Sequence, residues 1–337
     1  MRVAVIGAGA VGGTLAALLD RGGHDVEVTA RGENLAALRE NGLALSGAWG
    51  EHHARVEANE TLTRAPQLAI VTTKALDAAA ALRANAEWLR GIPVVIVQNG
   101  LHGITTARAV LPRSDIVGGL ALFAASLVSP GVVAVTTDGS LYLGNDDHGL
   151  EVQYAAGVLG AVIPTTTTLN FAGAQWSKLI VNQINALPAI TGLSAQATIA
   201  DPGLRRILTR SMREAVGVGL RAGIRFAKLQ GLSHGLLRLF RVVPTGIGQV
   251  LPLIMRWRMG ATPNPGSTLQ SIRRGQKTEI DYLNGAIVDV AVAAGRTAPV
   301  NAALVAMVHE VERTGDFLTP VEVAERIEAE ASVRGRP

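Results

Sequence analysis

Residues 175–190 are apolar except for a few polar interruptions, and the spacing of those interruptions suggests chemistry. Lys178, Asn182 and Asn185 fall at i, i+4 and i+7 of a run that reads as a helix, which places them on one face. Leu179, Ile180, Val181, Ile184 and Leu187 surround them, and no other charge occurs before Asp201. A helix this apolar is expected to be buried on most sides, so its cation and two amides would line an internal cavity. A partly desolvated lysine has a lowered pKa and can give up a proton near neutral pH. The same spacing fits, equally well, a lysine that snorkels to solvent from an ordinary core helix. Lysine is scarce in this chain. Of 31 basic residues only Lys74, Lys178, Lys228 and Lys277 are lysines, and the other 27 are arginines. Where charge alone is needed the chain uses arginine, which cannot release its proton.

A second polar cluster comprises Ser267-Thr268-Leu269-Gln270 and the string from Gln276 to Gly285. Thr278 with Asp281 reads as a capping box, and acids suit the first turn of a helix. That local reading would account for Glu279 and Asp281 without any catalytic role.

Gly7, Gly9 and Gly12 form G-x-G-x-x-G between a short apolar run (2–6) and a helical pattern (11–19). In that setting the first glycine permits a tight turn, the second lets a pyrophosphate approach the backbone, and the third lets helix and strand pack closely. The phosphates then meet free N–H groups at a helix N-terminus. An acid usually follows at the end of the second strand to bind the ribose of NAD. Here the position reads Thr29-Ala30-Arg31, and Arg31 can pair with a 2′-phosphate, so NADP is favoured although Glu33 lies close by. Apolar runs at 68–72 and 92–97 lead into Thr73-Lys74 and Gln98-Asn99-Gly100. Ligands of doubly wound sheets bind outside the carboxyl ends of strands, which points Lys74 and Asn99 to the same crevice.

The elements that must position these groups follow two patterns. Strand and helix signals alternate in the first half, with unalternating β-branched runs expected of strands covered on both faces. This gives an α/β fold with an N-terminal Rossmann-type doubly wound parallel sheet. Helical patterns over 172–190, 202–222, 279–294 and 301–311 give a C-terminal all-α domain. The expected division is 1–168 for dinucleotide binding and 169–337 for substrate and dimerisation, with the boundary just after a threonine run. Residues 231–266 read as an irregular apolar segment with four prolines.

The composition excludes several classes. The chain has 337 residues, 48% hydrophobic and 17% charged, so it can bury a core. It has no cysteine, hence no disulfide scaffold, thiolate metal site or cysteine nucleophile. Aromatic residues at 4% are too few for base-stacking platforms, so nucleic acid is not an expected partner. His52-His53 and Asp146-Asp147-His148 lack ligand spacing, and no metal is expected. No stretch reads as a spanning helix, which needs about 20 apolar residues, and a cytoplasmic location is expected. The net charge of +4 hides a concentration: residues 205–258 hold eleven basic residues and one acid, Glu214, for +10. With the apolar residues of 231–258 this composition suits contact with an anionic membrane. A lid, a dimer contact or a solvated face is favoured over that reading.

Taken together the motifs resemble the ketopantoate reductase (2-dehydropantoate 2-reductase) family. The resemblance rests on the glycine loop, Lys74, Asn99-Gly100, Lys178-Leu179-Ile180-Val181-Asn182, Ser267 with Leu269-Gln270, and the string Thr278-Glu279-Ile280-Asp281-Tyr282-Leu283-Asn284-Gly285. The resemblance implies NADPH-dependent reduction of a 2-oxo acid to a 2-hydroxy acid, 2-dehydropantoate to pantoate in pantothenate biosynthesis being the first expectation. It implies that Lys178 gives a proton to the carbonyl oxygen as hydride arrives and that Glu279 holds the substrate hydroxyl. Ser267 would bind the substrate carboxylate, Asn99 and Asn182 would orient substrate and nicotinamide, and Asn185 would join the substrate site. The chain departs from the family pattern at Ala186, where a second asparagine is common, at Ser271, and in its long apolar 226–266 segment. The alternatives are a related NADP-dependent oxidoreductase on a more apolar 2-oxo acid, and a non-catalytic NADP-binding sensor. The lysine helix and Glu279 argue against the sensor, which needs the phosphate loop but no proton donor.

Overall fold

The computed structural model describes residues 1–145 and 149–333. Asp146, Asp147 and His148 lie outside the described residues. The contacts divide the chain into two compact units, Met1–Phe171 and Ala172–Pro337.

The strands of the first unit are β1 (Arg2–Ile6), β2 (Asp25–Thr29), β3 (Leu43–Gly47), β4 (His52–Ala54), β5 (Glu57–Asn59), β6 (Leu68–Val71), β7 (Pro93–Val97), β8 (Asp115–Ala121), β9 (Ala124–Ser129), β10 (Val132–Thr137), β11 (Leu141–Gly144) and β12 (Thr165–Thr168). Eight of them form one sheet in the order β12-β11-β8-β7-β6-β1-β2-β5. The six from β5 to β8 are parallel, whereas β11 runs antiparallel to β8 and pairs in parallel with β12. The threonine run is thus itself an edge strand. Alternate residues of β1 feed opposite cores: Val3 and Val5 pack with Leu15 and Leu19, Ala4 and Ile6 with Val71 and Ile96. Burial on both faces explains the absence of polar alternation. The order reverses at β1, which has β2 on one side and β6 on the other, so the loops after β1 and β6 flank the switch point where ligands bind in such sheets.

The remaining four strands form a second sheet, β4-β3-β10-β9, in which β3 and β10 pair in parallel. It covers the outer side of the Ala10–Arg21 helix, and every residue of that helix from Gly12 to Leu19 is buried. His52 and His53 belong to β4 rather than to a turn. The sequence reading did not anticipate this sheet.

The second unit is helical, and among its described residues only an isolated bridge between Leu229 and Leu232 departs from that. Its longest element is Pro202–Arg221, started by Asp201, whose carboxylate accepts from Leu204 N at 2.8 Å, and by Pro202 in the first turn. Ala195–Ala200, His234–Val242, Asn284–Ala293, Pro299–Thr314 and Pro320–Val333 all pack against it. Three expectations need correction. The run 172–190 is Phe171–Asn182, a 3₁₀ turn Gln183–Asn185, and Ala186–Thr191. The run 279–294 opens with a 3₁₀ turn, Ile280–Tyr282, before Asn284–Ala293. The segment 231–266 is mostly helical, with His234–Val242, Thr245–Gly248 and Val250–Arg258. Two of its prolines fit helix starts: Pro244 precedes a helix and Pro252 sits in a first turn, where the missing N–H has no intrahelical partner to lose, while Pro263 and Pro265 lie in the non-helical stretch after Arg258.

Candidate active site

In the first unit the glycine loop is fixed by its neighbours. Gly7 has φ of +101°, and a Cβ there would lie 2.8 Å from Thr73 N. A Cβ at Gly12 would lie 2.0 Å from Gly7 O and 2.2 Å from Thr72 Oγ1, so helix and loop meet backbone to backbone. A Cβ at Gly9 would meet nothing within 4 Å. Of the three loop glycines Gly9 alone faces open space, as expected if a ligand approaches there. The loop is held from both neighbouring strands. Gly7 N and Ala8 N donate to Thr29 O at 3.2 and 2.9 Å, and Thr72 Oγ1 donates to Gly7 O at 2.7 Å. Asn34 Nδ2 donates to Ala8 O at 2.8 Å. The first amides of the Ala10–Arg21 helix lack intrahelical acceptors and suit an anion. Backbone donors beside open space fit a dinucleotide's pyrophosphate.

Arg31 precedes the Gly32–Asn41 helix with its side chain 77% exposed, and Asp77 Oδ1 lies 3.6 Å from its Nη2. Lys74 directly precedes the Ala75–Ala84 helix at the end of β6, and Asn99 follows the neighbouring β7. Gln98 ties these two strand ends together, its Nε2 donating to Thr73 O at 2.8 Å and to Thr73 Oγ1 at 3.3 Å. The motif reading gave Gln98 and Thr73 no role.

In the second unit Lys178 is half-buried on the Phe171–Asn182 helix. Burial pushes its ammonium down from the ordinary lysine value to about 8, and the negative charge of Glu279 partly opposes that shift. Lys178 and Glu279 are therefore electrostatic neighbours. Asn182 stands one turn from Lys178, at the end of the α-helix. Asn185 lies in the 3₁₀ turn and does not extend the α-helical face. Its Nδ2 donates to Asn182 O at 3.2 Å, and its Oδ1 stands 2.6 Å from where a Cβ of Gly266 would be. Asn185 therefore faces the start of the Gly266–Arg273 helix, which carries exposed Ser267. Ala186 is fully buried, and Ser271 Oγ donates back to Ser267 O at 3.2 Å.

The capping box does not form. Thr278 Oγ1 accepts from Ile280 N at 3.2 Å, while Asp281 Oδ1 meets His309 Nε2 at 2.8 Å. His309 Nδ1 meets Glu312 Oε2 at 2.7 Å, and Glu312 Oε1 accepts from Thr278 N at 2.7 Å. The turn carrying Glu279 is thus fastened to the Pro299–Thr314 helix. Among the described residues no group of three or more His, Asp or Glu is arranged to hold a metal ion, and no helix is long and apolar enough to cross a membrane.

A buried polar clasp, absent from the sequence reading, joins the segments that carry Lys178 and Glu279. Gln183, five residues after Lys178, and Asn284, five after Glu279, are both fully buried. Asn284 Nδ2 donates to Gln183 Oε1 at 2.7 Å and to Asn301 Oδ1 at 3.0 Å. Ser211 Oγ lies 3.0 Å from Gln183 Oε1 and 2.9 Å from Asn301 Oδ1. Asn301 Nδ2 donates to Glu214 Oε2 at 2.8 Å. Buried amides of this kind specify one arrangement of the helices that carry them. A visible signal was available: Gln183, Asn284 and Asn301 are polar residues beside mainly apolar stretches of helix.

A glycine-rich loop at the switch point of a parallel sheet, followed by a helical unit bearing a desolvated lysine, is an arrangement that suits a Rossmann-type oxidoreductase. The family described as "Ketopantoate reductase PanE/ApbA" matches residues 3–148, and its C-terminal counterpart matches 170–312. The chain belongs to this ketopantoate reductase family and is a 2-dehydropantoate 2-reductase-like, NAD(P)-dependent oxidoreductase. A 2-dehydropantoate 2-reductase of Pyrococcus horikoshii is 29% identical over 322 residues, which cover 94% of this chain and 99% of the relative. Its counterpart in Halobacterium salinarum is 28% identical, covering 94% of this chain and 100% of the relative. A crystal structure of a PanE/ApbA family ketopantoate reductase from Ralstonia eutropha JMP134 superposes with a TM-score of 0.79 at 28% identity, covering 93% of this chain and 99% of that one. D-mandelate dehydrogenase in a ternary structure with NADH and anilino(oxo)acetate shares the fold, with a TM-score of 0.80 at 21% identity, covering 93% and 99%.

Proposed function

We propose that the chain reduces a 2-oxo acid to the 2-hydroxy acid with NADPH, and that 2-dehydropantoate is the first substrate to test. The observation that carries this reading is Lys178, a desolvated lysine near Glu279 whose ammonium titrates at about 8. When bound, the nicotinamide supplies hydride. Lys178 Nζ stabilises the negative charge developing on the carbonyl oxygen and transfers a proton to it, which requires its charged form. Glu279 maintains that form by its charge and accepts a hydrogen bond from the substrate hydroxyl. Ser267, Asn182 and Asn185 bind and orient the substrate, Ser267 at its carboxylate. Asn99 orients substrate and nicotinamide, and Lys74 joins the glycine loop in holding the cofactor. Gly7, Gly9 and Gly12 keep side chains away from the pyrophosphate.

Arg31 is the preferred partner of the 2′-phosphate. Its pairing with Asp77 is exposed and long, and exposed pairs are worth only about 0–1 kcal/mol, so a dianionic phosphate displaces it readily. Oxidation of NADPH and of NADH, followed across a panel from 2-dehydropantoate to bulky apolar 2-oxo acids, tests the reading. Turnover of 2-dehydropantoate with preference for NADPH is expected. Turnover confined to bulky apolar oxo acids would move the substrate, and tight NADPH binding without any turnover would overturn the reductase reading.

A further inference from the structure

The arginine concentration of residues 205–258 has no part in the reaction above. Some of it lines a cavity of about 620 Å³ that lies wholly within the helical unit. Arg210, Glu214, Gly217 and Arg221 fall at i, i+4, i+7 and i+11 of the Pro202–Arg221 helix, a single stripe, with Arg213 beside it. Arg241, from the last turn of His234–Val242, faces them, and the Thr245 and Thr297 side chains complete the polar lining.

Two of the lining groups are already committed. Arg213 donates to Arg241 O through Nε and Nη2 at 3.2 and 2.5 Å and to Thr245 Oγ1 through Nη1 at 3.0 Å, so it holds the wall. Glu214, the one acid in the lining, accepts from Val300 N at 3.0 Å and from Asn301 N and Nδ2 at 3.0 and 2.8 Å, capping the Pro299–Thr314 helix. Arg221 and Arg241 converge over Gly217. A Cβ there would lie 3.0 Å from Arg241 Nε and 3.8 Å from Arg221 Nη1. Glycine leaves the floor open where two guanidinium groups from different helices meet. Among the described residues no carboxylate forms an ion pair with Arg210, Arg221 or Arg241. Four arginines and one glutamate leave the lining at +3.

Like charges gathered in a concavity repel one another unless an anion joins them. The volume is in the range of small-molecule sites, and the guanidinium fork matches phosphate oxygens in pairs. We propose that this cavity binds a phosphate-bearing anion with two or more adjacent negative groups. Arg210, Arg221 and Arg241 are its ligands, and Arg213 is the residue that positions Arg241. The phosphate can belong to a soluble metabolite or to a lipid headgroup, since exposed Leu239 and Val242 lie on the helix that carries Arg241.

Inorganic tripolyphosphate is the soluble probe, titrated calorimetrically at low salt into the full chain saturated with NADPH so that the glycine loop is filled. Saturable binding that weakens with added salt is expected. The double variant Arg221→Gln, Arg241→Gln should bind about tenfold or more weakly, with melting temperature and NADPH affinity unchanged. Co-sedimentation with phosphatidylglycerol-containing vesicles separates the two sources. Sedimentation of the wild type and not of the double variant assigns the phosphate to a lipid, whereas tripolyphosphate binding without sedimentation assigns it to a soluble anion. No binding to either probe, or equal binding by the double variant, overturns the site. Both proteins keep the same glycine loop and lysine helix, so the comparison holds whether or not the reductase reading survives.

Discussion

The candidate residues of the first unit and those of the second are built on opposite principles. In the first unit the candidate cofactor loop rests on side chains that are missing, because Gly7 and Gly12 let backbone meet backbone, Gly9 leaves open space, and local hydrogen bonds hold the loop in place. In the second unit the candidate residues are side chains that are present, and their placement depends on residues distant in sequence. Gln183 and Asn284 are 101 positions apart, and their 2.7 Å hydrogen bond lies between the segments of Lys178 and Glu279. A backbone site needs the right local conformation, so substitutions there act through sterics. A side-chain site needs a charge in the right solvation, so substitutions there act through electrostatics and buried hydrogen bonds.

The sharpest way to break this contrast is Lys178→Ala. Loss of a general acid should lower kcat by about 10²–10⁴-fold while NADPH affinity stays at the wild-type level. The wild-type rate should also fall as pH rises through about 8, where the ammonium is lost. A variant within about tenfold of wild type would remove the lysine from the chemistry.

The glycines supply the complementary test. Gly12→Ala drives a methyl into Gly7 O and Thr72 Oγ1 and should cost about 1–3 kcal/mol, read as a lower melting temperature. Gly9→Ala meets nothing within 4 Å, so it should leave melting unchanged and weaken NADPH binding. If Gly9→Ala melted early while binding normally, the open space at Gly9 would not be the cofactor's.

The same contrast governs how much of the molecule was legible in the sequence. The strands Arg2–Ile6 and Asp25–Thr29 were readable to the residue, the first as an apolar run buried on both faces, the second as Val26 and Val28 following a glycine turn. The glycine loop was readable because its determinants lie within six residues. The second sheet was not, since its centre pairs Leu45 with Val133, two segments whose contact no local pattern announces. The helix breaks at Gln183–Asn185 and Leu283 were equally hidden, because propensity alone continues both helices. The capping box at Thr278 is a legitimate local solution that lost to a distant one, the His309 and Glu312 side chains. Lys178, Asn182 and Glu279 were visible as types in a pattern, whereas the clasp that spaces them requires the tertiary fold.

That clasp can be measured directly. Asn284→Leu removes two buried hydrogen bonds and should cost about 1–3 kcal/mol of stability. A role in positioning makes a further demand, that kcat fall more than the KM for NADPH changes. Gln183→Leu should behave alike, and the double variant should cost less than the sum of the two, since both remove one interaction. Strict additivity in stability and in kcat would show that the two amides act independently of each other.

The smallest expected effect concerns the outer fastening of the Glu279 turn. Desolvation alone would lower the pKa of His309, but its hydrogen bonds to Glu312 and Asp281 outweigh that and raise it above the ordinary value of 6.5. A raised folded-state pKa stabilises the protein fully below the ordinary value and loses that contribution as pH climbs through the higher, folded one. The triad is partly exposed, with the His309 and Asp281 side chains 43% and 61% accessible, so the contribution should stay below about 1 kcal/mol. His309→Gln should therefore lower the melting temperature measurably at pH 5.5 (below the ordinary value of 6.5) and hardly at all at high pH. Glu312 keeps its hydrogen bond to Thr278 N in that variant, so the turn should stay anchored on one side. A variant equally destabilised at both pH values would mean that His309 fastens the turn by packing rather than by charge.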